Sequence, residues 1–415
     1  MAIETFIVRS TTLFRGMLFG MLTYVNAPAA PLPGDTFKPY VSTTLLYDSN
    51  LLRIADNLSP QVVAGKNNKD DFVKTVAGGF EMDWEVSRQH LILNAQINQS
   101  WFQNFNELDY LGWDTQAKWK WQIGNNFSGD IGYANKRSLG TFAQLNRLVQ
   151  NLQNNQAAFV NAAYLLHPSW RVKIGGSRNA IRFDAESRQN SNRVEQGGEI
   201  TVEYLSSTDS SLGLRLIGID GRFPDRSVAF SNIFDNSYVR WNYSAIADWH
   251  FSSISEIKAD IGYTEQEFEH LTNLNFADIV AHLKFQWAFS EKTLFVLSGW
   301  REIRQAFNQF GNFLLSQGAE LSPRWLITPM LELSPTLSYE HQDYLGVGSL
   351  AAQSGPDTIN TGRRDNIWNI GLNLTYRPID NATIGLVLAQ ENRQSTQIGR
   401  TYQTQSALLN VQLAF

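Results

Sequence analysis

The chain contains no cysteine, so thiolate metal sites, cysteine nucleophiles and a disulfide framework are all excluded. It also lacks a membrane-spanning helix signal, since no run approaches the ~18 consecutive apolar residues that such a helix needs. Charge is sparse for a chain of 415 residues, at 18% charged, and its balance of −5 speaks against a nucleic-acid-binding surface. No HExxH, no paired histidine spacing and no GxSxG accompanies the scattered His90, His167, His250, His270, His282 and His341, so metal and serine-hydrolase chemistry have no motif to stand on. Helical periodicity is almost missing after Thr36. The sequence gives no reason to expect a catalytic residue, a bound metal or a cofactor.

Aromatic residues, by contrast, are abundant. Twelve Trp, 14 Tyr and 25 Phe occur in a chain whose mean hydropathy is −0.26, where a soluble core of this length would lean on Leu, Ile and Val. Their placement is periodic. Over residues 111–123, Leu111, Trp113, Thr115, Ala117, Trp119, Trp121 and Ile123 share one parity, while Asp114, Gln116, Lys118, Lys120 and Gln122 hold the other. Side chains two apart point to the same face of a strand, so this segment has one apolar and one polar face. Aromatics at its ends with smaller residues between are the pattern of membrane-interface girdles rather than of a soluble sheet core.

The same alternation recurs in residues 36–48, 71–86, 91–103, 126–138, 158–166, 170–181, 199–205, 212–219, 239–251, 257–268, 277–287, 294–301, 313–321, 325–341, 367–376 and 382–390. It ends in a closing strand, residues 403–415, with Ala407, Leu409, Val411, Leu413 and the terminal Phe415 on one face. Tight polar turns (124–126, 167–169, 290–292, 377–380) alternate with long Asn/Gln-rich loops (140–156, 184–196, 221–236, 344–364). All short turns therefore fall on one membrane side and all long loops on the other. The expected fold is all-β: a transmembrane antiparallel up-and-down β-barrel of about eighteen strands. Sixteen or twenty also fit, because residues 294–301 and 313–321 have ambiguous parity. Pro329 and Pro335 fall inside one predicted strand, where a ladder bond is lost and a bulge is expected. The tetrapeptide Asp-Ile-Gly-Tyr occurs at 130–133 and at 260–263, marking equivalent positions on two outgoing strands.

At the amino end, Arg9 and Arg15 precede a short apolar stretch and then Ala27-Pro28-Ala29-Ala30, the layout of a secretory signal peptide. The expected organisation is a signal peptide over residues 1–29 and one outer-membrane barrel over 30–415. Its partners would be outer-membrane lipid and, through the strand that ends at Phe415, the barrel-assembly machinery, with no nucleic acid.

The inward parity is the candidate functional surface. Asp114, Gln116, Lys118, Lys120, Arg171, Lys173, Glu199, Glu203, Arg215, Arg240, Asp248, Glu256, Asp260, Lys284, Glu332 and Glu340 are its charged and amide-bearing members. Both signs are interspersed, so no single-sign ion filter is formed. The wall is expected to be wet and hydrogen-bonding, with mutual neutralisation as the simplest role of its charges. The loop 140–156, with Phe142, Leu145, Leu148, Val149 and Leu152, carries enough apolar residues to fold into the lumen as a plug.

One stretch adds a family resemblance. Asp35-Thr36-Phe37-Lys38-Pro39-Tyr40-Val41, followed by Asp48-Ser49-Asn50-Leu51-Leu52-Arg53, resembles the start of the EpsL-type outer-membrane barrels of exopolysaccharide operons. That resemblance implies a passive conduit taking part in export or surface assembly of an extracellular polysaccharide, with the polysaccharide and periplasmic export proteins as partners. It carries over no catalytic residue. Without it, the residues fit a general diffusion porin, or a plugged structural or adhesive barrel. The secretory reading has a direct check: the exported protein should begin at Ala30 when its amino terminus is sequenced, and retention of Arg9 and Arg15 would refute it.

Overall fold

The computed structural model describes residues 36–415 apart from 144, 146, 227–234, 306–312 and 346–361. The signal peptide expected at 1–29, and the start of the barrel domain expected at 30, lie outside these residues. Strands form wherever the alternation is found. In order they are β1 (Phe37–Asp48), β2 (Asp71–Val86), β3 (Gln89–Phe102), β4 (Tyr110–Ile123), β5 (Phe127–Leu139), β6 (Leu152–His167), β7 (Trp170–Phe183), β8 (Arg193–Leu205), β9 (Ser211–Arg222) and β10 (Ser237–Ser252). There follow β11 (Ser255–Phe268), β12 (Phe276–Ser290), β13 (Thr293–Gln305), β14 (Phe313–Leu321), β15 (Arg324–Thr328), β16 (Leu331–Leu345), β17 (Arg364–Ile379), β18 (Ala382–Ser395) and β19 (Tyr402–Ala414).

Apart from β14 and β15, each strand pairs antiparallel with its sequence neighbours, and β19 pairs with β1 from Tyr40–Ala414 to Asp48–Ser406. The sheet is thus a closed barrel without edges. The ladder counts nineteen segments but eighteen staves, because β14 and β15 are halves of one: both pair with β13 and with β16 in a single register. Between them lie Ser322 and Pro323, and the register places Pro323 opposite Pro335 of β16. Neither proline has an N–H, so the ladder opens at that point. The sequence expectation of one strand over 325–341 is corrected accordingly. Pro329 sits in a hairpin turn, residues 325–328 finish the preceding stave, and the return strand begins at Leu331. The irregularity expected at Pro335 is present, but its cause includes the facing Pro323.

The outward face is apolar. Ile97, Ile131, Val160, Ile174, Ile200, Leu214, Ile261, Ile279, Ile370 and Leu388 are exposed around its middle. Exposed Trp84, Trp119, Trp170 and Trp325 lie toward the short-turn end, and Trp101, Tyr133, Trp241 and Trp368 toward the loop end. A continuous belt of this size is far beyond what a water-soluble surface carries, and two aromatic rings bounding it mark the membrane interfaces.

The buried apolar core is not in the barrel's middle. It lies at the loop end, where Leu46, Val73, Phe102, Tyr110, Leu152 and Leu408 of the wall meet Leu52, Ile54, Phe105, Leu108 and Phe142 of the loops. Three loops share one construction. Phe102, Phe183 and Phe268 end their strands, a 3-10 turn follows, and Asp109, Asn192 or Asn275 accepts the phenylalanine's N–H at 2.7, 2.7 and 2.8 Å. In the first and third, a buried aspartate at the start of an earlier strand completes the clip: Asp71, the first residue of β2, accepts from Asn104 and Phe105 N–H, and Asp235, just before β10, from His270 and Leu271 N–H. Buried carboxylates are tolerated here because backbone donors satisfy them. Replacing fully buried Phe105 by Ala should cost roughly 3–5 kcal/mol locally. The expected readout is faster proteolysis within residues 103–109 while the sheet signal in circular dichroism is kept; an unchanged cleavage rate would show that the mouth core does not order that loop.

Candidate functional site: the divided lumen

Alternation sends one side chain of every two inward, so the lumen wall is built from the polar parity. The register places all sixteen sequence-predicted wall residues on that face. They do not form one site. Lys173, Glu199, Glu203, Arg215, Arg240, Asp260 and Glu340 line a compartment of about 400 Å³, and Asp114 lines a smaller one of about 180 Å³.

The remaining eight line neither compartment. Lys118 Nζ bonds Asp130 at 2.8 Å, and Lys120 sits across the ladder from the same aspartate. Gln116 bonds Asp114 at 3.4 Å, and Arg171 reaches Glu203. Asp248 and Glu256 share Lys258, Lys284 lies across from Lys258, and Glu332 is 3.6 Å from Arg324. His250 brings a third potential ligand beside Asp248 and Glu256, but the Lys258 ammonium donates to both carboxylates and so already supplies that cluster with a cation.

Between the two compartments lie the described residues of the loop after β5, with Gly140, Thr141 and Phe142 on the smaller one and Thr141, Ala143, Leu145 and Asn151 on the larger. Phe142 is buried in the mouth core, and Leu145 and Leu148 pack against that core. Gly140 N–H donates to Asn151 O at 2.8 Å, and Gln150 donates to Asp109 O at 2.6 Å, tying the loop to its neighbour. Arg393 on β18, six strands from β5 round the closed ladder, donates to Ala143 O at 3.4 Å. Thr141 faces both spaces. The inward folding expected of this loop is therefore present, with Phe142, Leu145 and Leu148 as its apolar anchors; Leu152 already belongs to β6.

The wall charges are paired across strands. Glu203 accepts from Arg171 at 2.8 Å and from Lys173 at 2.7 Å. Arg215 pairs with Asp260. Glu195 accepts from Arg240 at 3.1 Å and from the Tyr238 hydroxyl, whose ring lies on Gly221, where a Cβ would meet it at 2.2 Å. Glu302 links His282 to Arg304, and Arg304 bonds Glu340 at 2.8 Å. Asp130 and Asp260, the two copies of the repeated tetrapeptide's aspartate, both hold a lumenal cation: Lys118 from the adjacent strand β4, and Arg215 from β9, two strands away. The simplest sequence expectation, charges neutralising one another along a wet wall, describes most of this surface.

Sequence reading missed one deeply buried charged cluster. Near the loop end, Asp365 accepts from Arg363 Nε at 3.1 Å and Arg393 Nε at 2.9 Å, and Arg393 also reaches Tyr344 Oη at 2.9 Å. The residues of the family resemblance adjoin this region through Glu391. Asp48 accepts from Asn50 N–H, Arg53 and Thr404; Asn50 closes a turn with Ile54; and Arg53, at φ 56°, approaches Glu391 at 4.0 Å. The turn tucks Leu52 and Ile54 into the mouth core and packs Leu51 against it, so the apolar residues of this polar loop are all used in the core.

A closed barrel with a lipid-facing belt and a polar lumen is the architecture of an outer-membrane β-barrel. No protein-family model matches the chain, and no curated protein matches it. Solved structures with similar chains include the outer membrane protein OpdK from Pseudomonas aeruginosa, at 12% identity over 91% of this chain and 99% of that one, TM-score 0.49. Others are Pseudomonas aeruginosa OccK2 (OpdF) in complex with glucuronate (9%, 91% and 98%, 0.48) and a BenF-like porin from Pseudomonas fluorescens Pf-5 (8%, 92% and 99%, 0.48).

The loop clip at Asp235 gives a pH test. Its hydrogen bond with Asp235 holds the His270 imidazole above the ordinary value. Burial pushes the Asp235 carboxyl up, but the His270 ring and the His270, Leu271 and Ser237 N–H donors outweigh it and leave it lowered. A raised imidazole contributes below its unfolded value and fades as pH rises through the folded one; a lowered carboxylate contributes above its unfolded value and fades as pH falls through the folded one. Backbone protection at residues 270–271 should therefore peak between the two. In D235N the His270 titration should return toward ~6.5, and an unmoved NMR titration midpoint would break the assignment.

Proposed function

We propose that the protein is a diffusion channel for small polar solutes, with the loop 140–151 as its constriction. The observation that carries this reading is the division of the lumen: the inward loop leaves compartments of about 400 and 180 Å³. Such spaces suit a solute of a few tens of atoms rather than a thick polymer. Paired charges and amides offer hydrogen bonds of both kinds along the way, and no ring of one sign would reject a neutral or zwitterionic molecule.

The polysaccharide-export role implied by the EpsL-type resemblance is the weaker reading. Asp48, Asn50 and Arg53, which carry that resemblance, have a structural task in ordering the mouth, and this accounts for them without a glycan. An export role also calls for periplasmic partners, about which the barrel wall says nothing.

Single-channel recording in planar bilayers distinguishes the two. Wild-type protein should give small, stable conductance steps, and deleting residues 141–150 should raise them severalfold. Small solutes, but not oligosaccharides of increasing length, should enter liposomes carrying the wild type. Equal conductance with and without the loop would remove the constriction, and uptake of long glycans by the wild type would restore the export reading.

A further inference from the structure

The outward face should carry no charge inside the lipid band, and where charge begins at the loop end its distribution is uneven. On β7, Arg178 and Arg182 share the parity of exposed Ile174, not that of lumenal Lys173. On β5, Arg137 shares the parity of exposed Ile131 and Tyr133. The register aligns Arg137 with Asn154 of β6 and Asn154 with Arg182, so the two arginines stand two strand spacings apart, ~10 Å. Gln156 and Gln196 lie on the same outward face beside Arg178.

Among the described residues no acidic side chain is bonded to Arg178 or Arg182, whereas Arg137 stacks on Trp113 and meets Asp184 at 2.5 Å. Outward cations elsewhere on the rim have partners: Lys74 lies over the Trp101 ring, and Arg364 stands across the ladder from Asp343. Arg222 is held by Asp220 at 2.9 Å, Arg301 by Asp278 at 2.6 Å, and β11 presents Glu265 and Glu267. Below the arginines, Gly176, Gly198 and Gly218 form one row across β7, β8 and β9 on the lipid side. Trp241 covers Gly218, but a Cβ on Gly176 or Gly198 would meet nothing closer than 3.7 Å, so a shallow hollow remains.

We propose that this sector, the outward face of β5–β8 at the loop end, is a binding site for a phosphorylated glycolipid of the outer leaflet. The guanidinium groups of Arg178 and Arg182 take the phosphates by paired N–H donors, beside the Arg137–Asp184 pair. The Asn154, Gln156 and Gln196 amides bond sugar hydroxyls, and an acyl chain lies along the glycine hollow. Charge complementarity fixes the occupant: a surplus of cations at the interface, above an apolar groove, fits an anionic headgroup with its tails below it. Arginines that merely snorkel from the lipid band would need neither the amides nor the hollow.

The test uses the full mature chain in detergent, with a diphosphorylated, multiply acylated glucosamine disaccharide as probe and its dephosphorylated form as comparator, read by native mass spectrometry. Wild-type protein should retain the phosphorylated lipid and release the comparator. R178A/R182A should bind the phosphorylated lipid at least about tenfold more weakly, a difference of ~1.4 kcal/mol. R222A, whose guanidinium is already held by Asp220, should bind as wild type does. Unchanged channel conductance confirms that the double variant is folded, and if it fails to fold, R182A alone serves with a smaller loss expected. Equal binding by wild type and the arginine variant, or equal retention of both lipids by wild type, would overturn the site.

Discussion

Inside a bilayer no water is available to satisfy a backbone N–H or C=O, and everything in this chain follows from that constraint. A sheet meets it only by closing, and closure here is made by β19 lying against β1. Once the ladder is closed, each strand has a lipid side and a lumen side, and the two-residue period decides which residues go where. The aromatic girdles, the apolar middle and the charged bore are thus one pattern viewed from two faces.

Closure solves the wall but not the mouth. At the loop end the chain leaves the ladder, and its backbone groups need other partners. Aspartate and asparagine side chains supply them: Asp71, Asp109, Asn192, Asp235 and Asn275 each accept backbone N–H groups where the strands stop. With those groups satisfied, leucines and phenylalanines of the loops can pack inward and hold residues 140–151 across the lumen. The inward position of Phe142 therefore depends on polar clips far from it in sequence.

The barrel was legible in the sequence because it rests on local alternation, and residues 111–123 alone display both faces. The stave count also came through, although the partition around Pro323, Pro329 and Pro335 did not. Three prolines within thirteen residues admit several turn placements, and only pairing with β13 and β17 selects one. The inward loop was legible from its apolar residues. The Asp365–Arg393 cluster was not, since Arg393 reaches Ala143, 250 positions earlier, and such a contact exists only after closure. The loop clips could have been found: Phe102 to Asp109 and Phe268 to Asn275 have the same spacing, each with a leucine just before the last residue. That period is hidden beneath different flanking residues.

The two prolines that face each other at 323 and 335 bear on the chain's life before it reaches the membrane. An unfinished barrel crossing an aqueous compartment exposes strand edges, and an exposed edge is a template for pairing with another copy. This hairpin offers a gap where neither partner can donate, so a foreign strand cannot zip along it without interruption. The flaw in the finished wall is thus also a break in the pattern that strand-on-strand association needs.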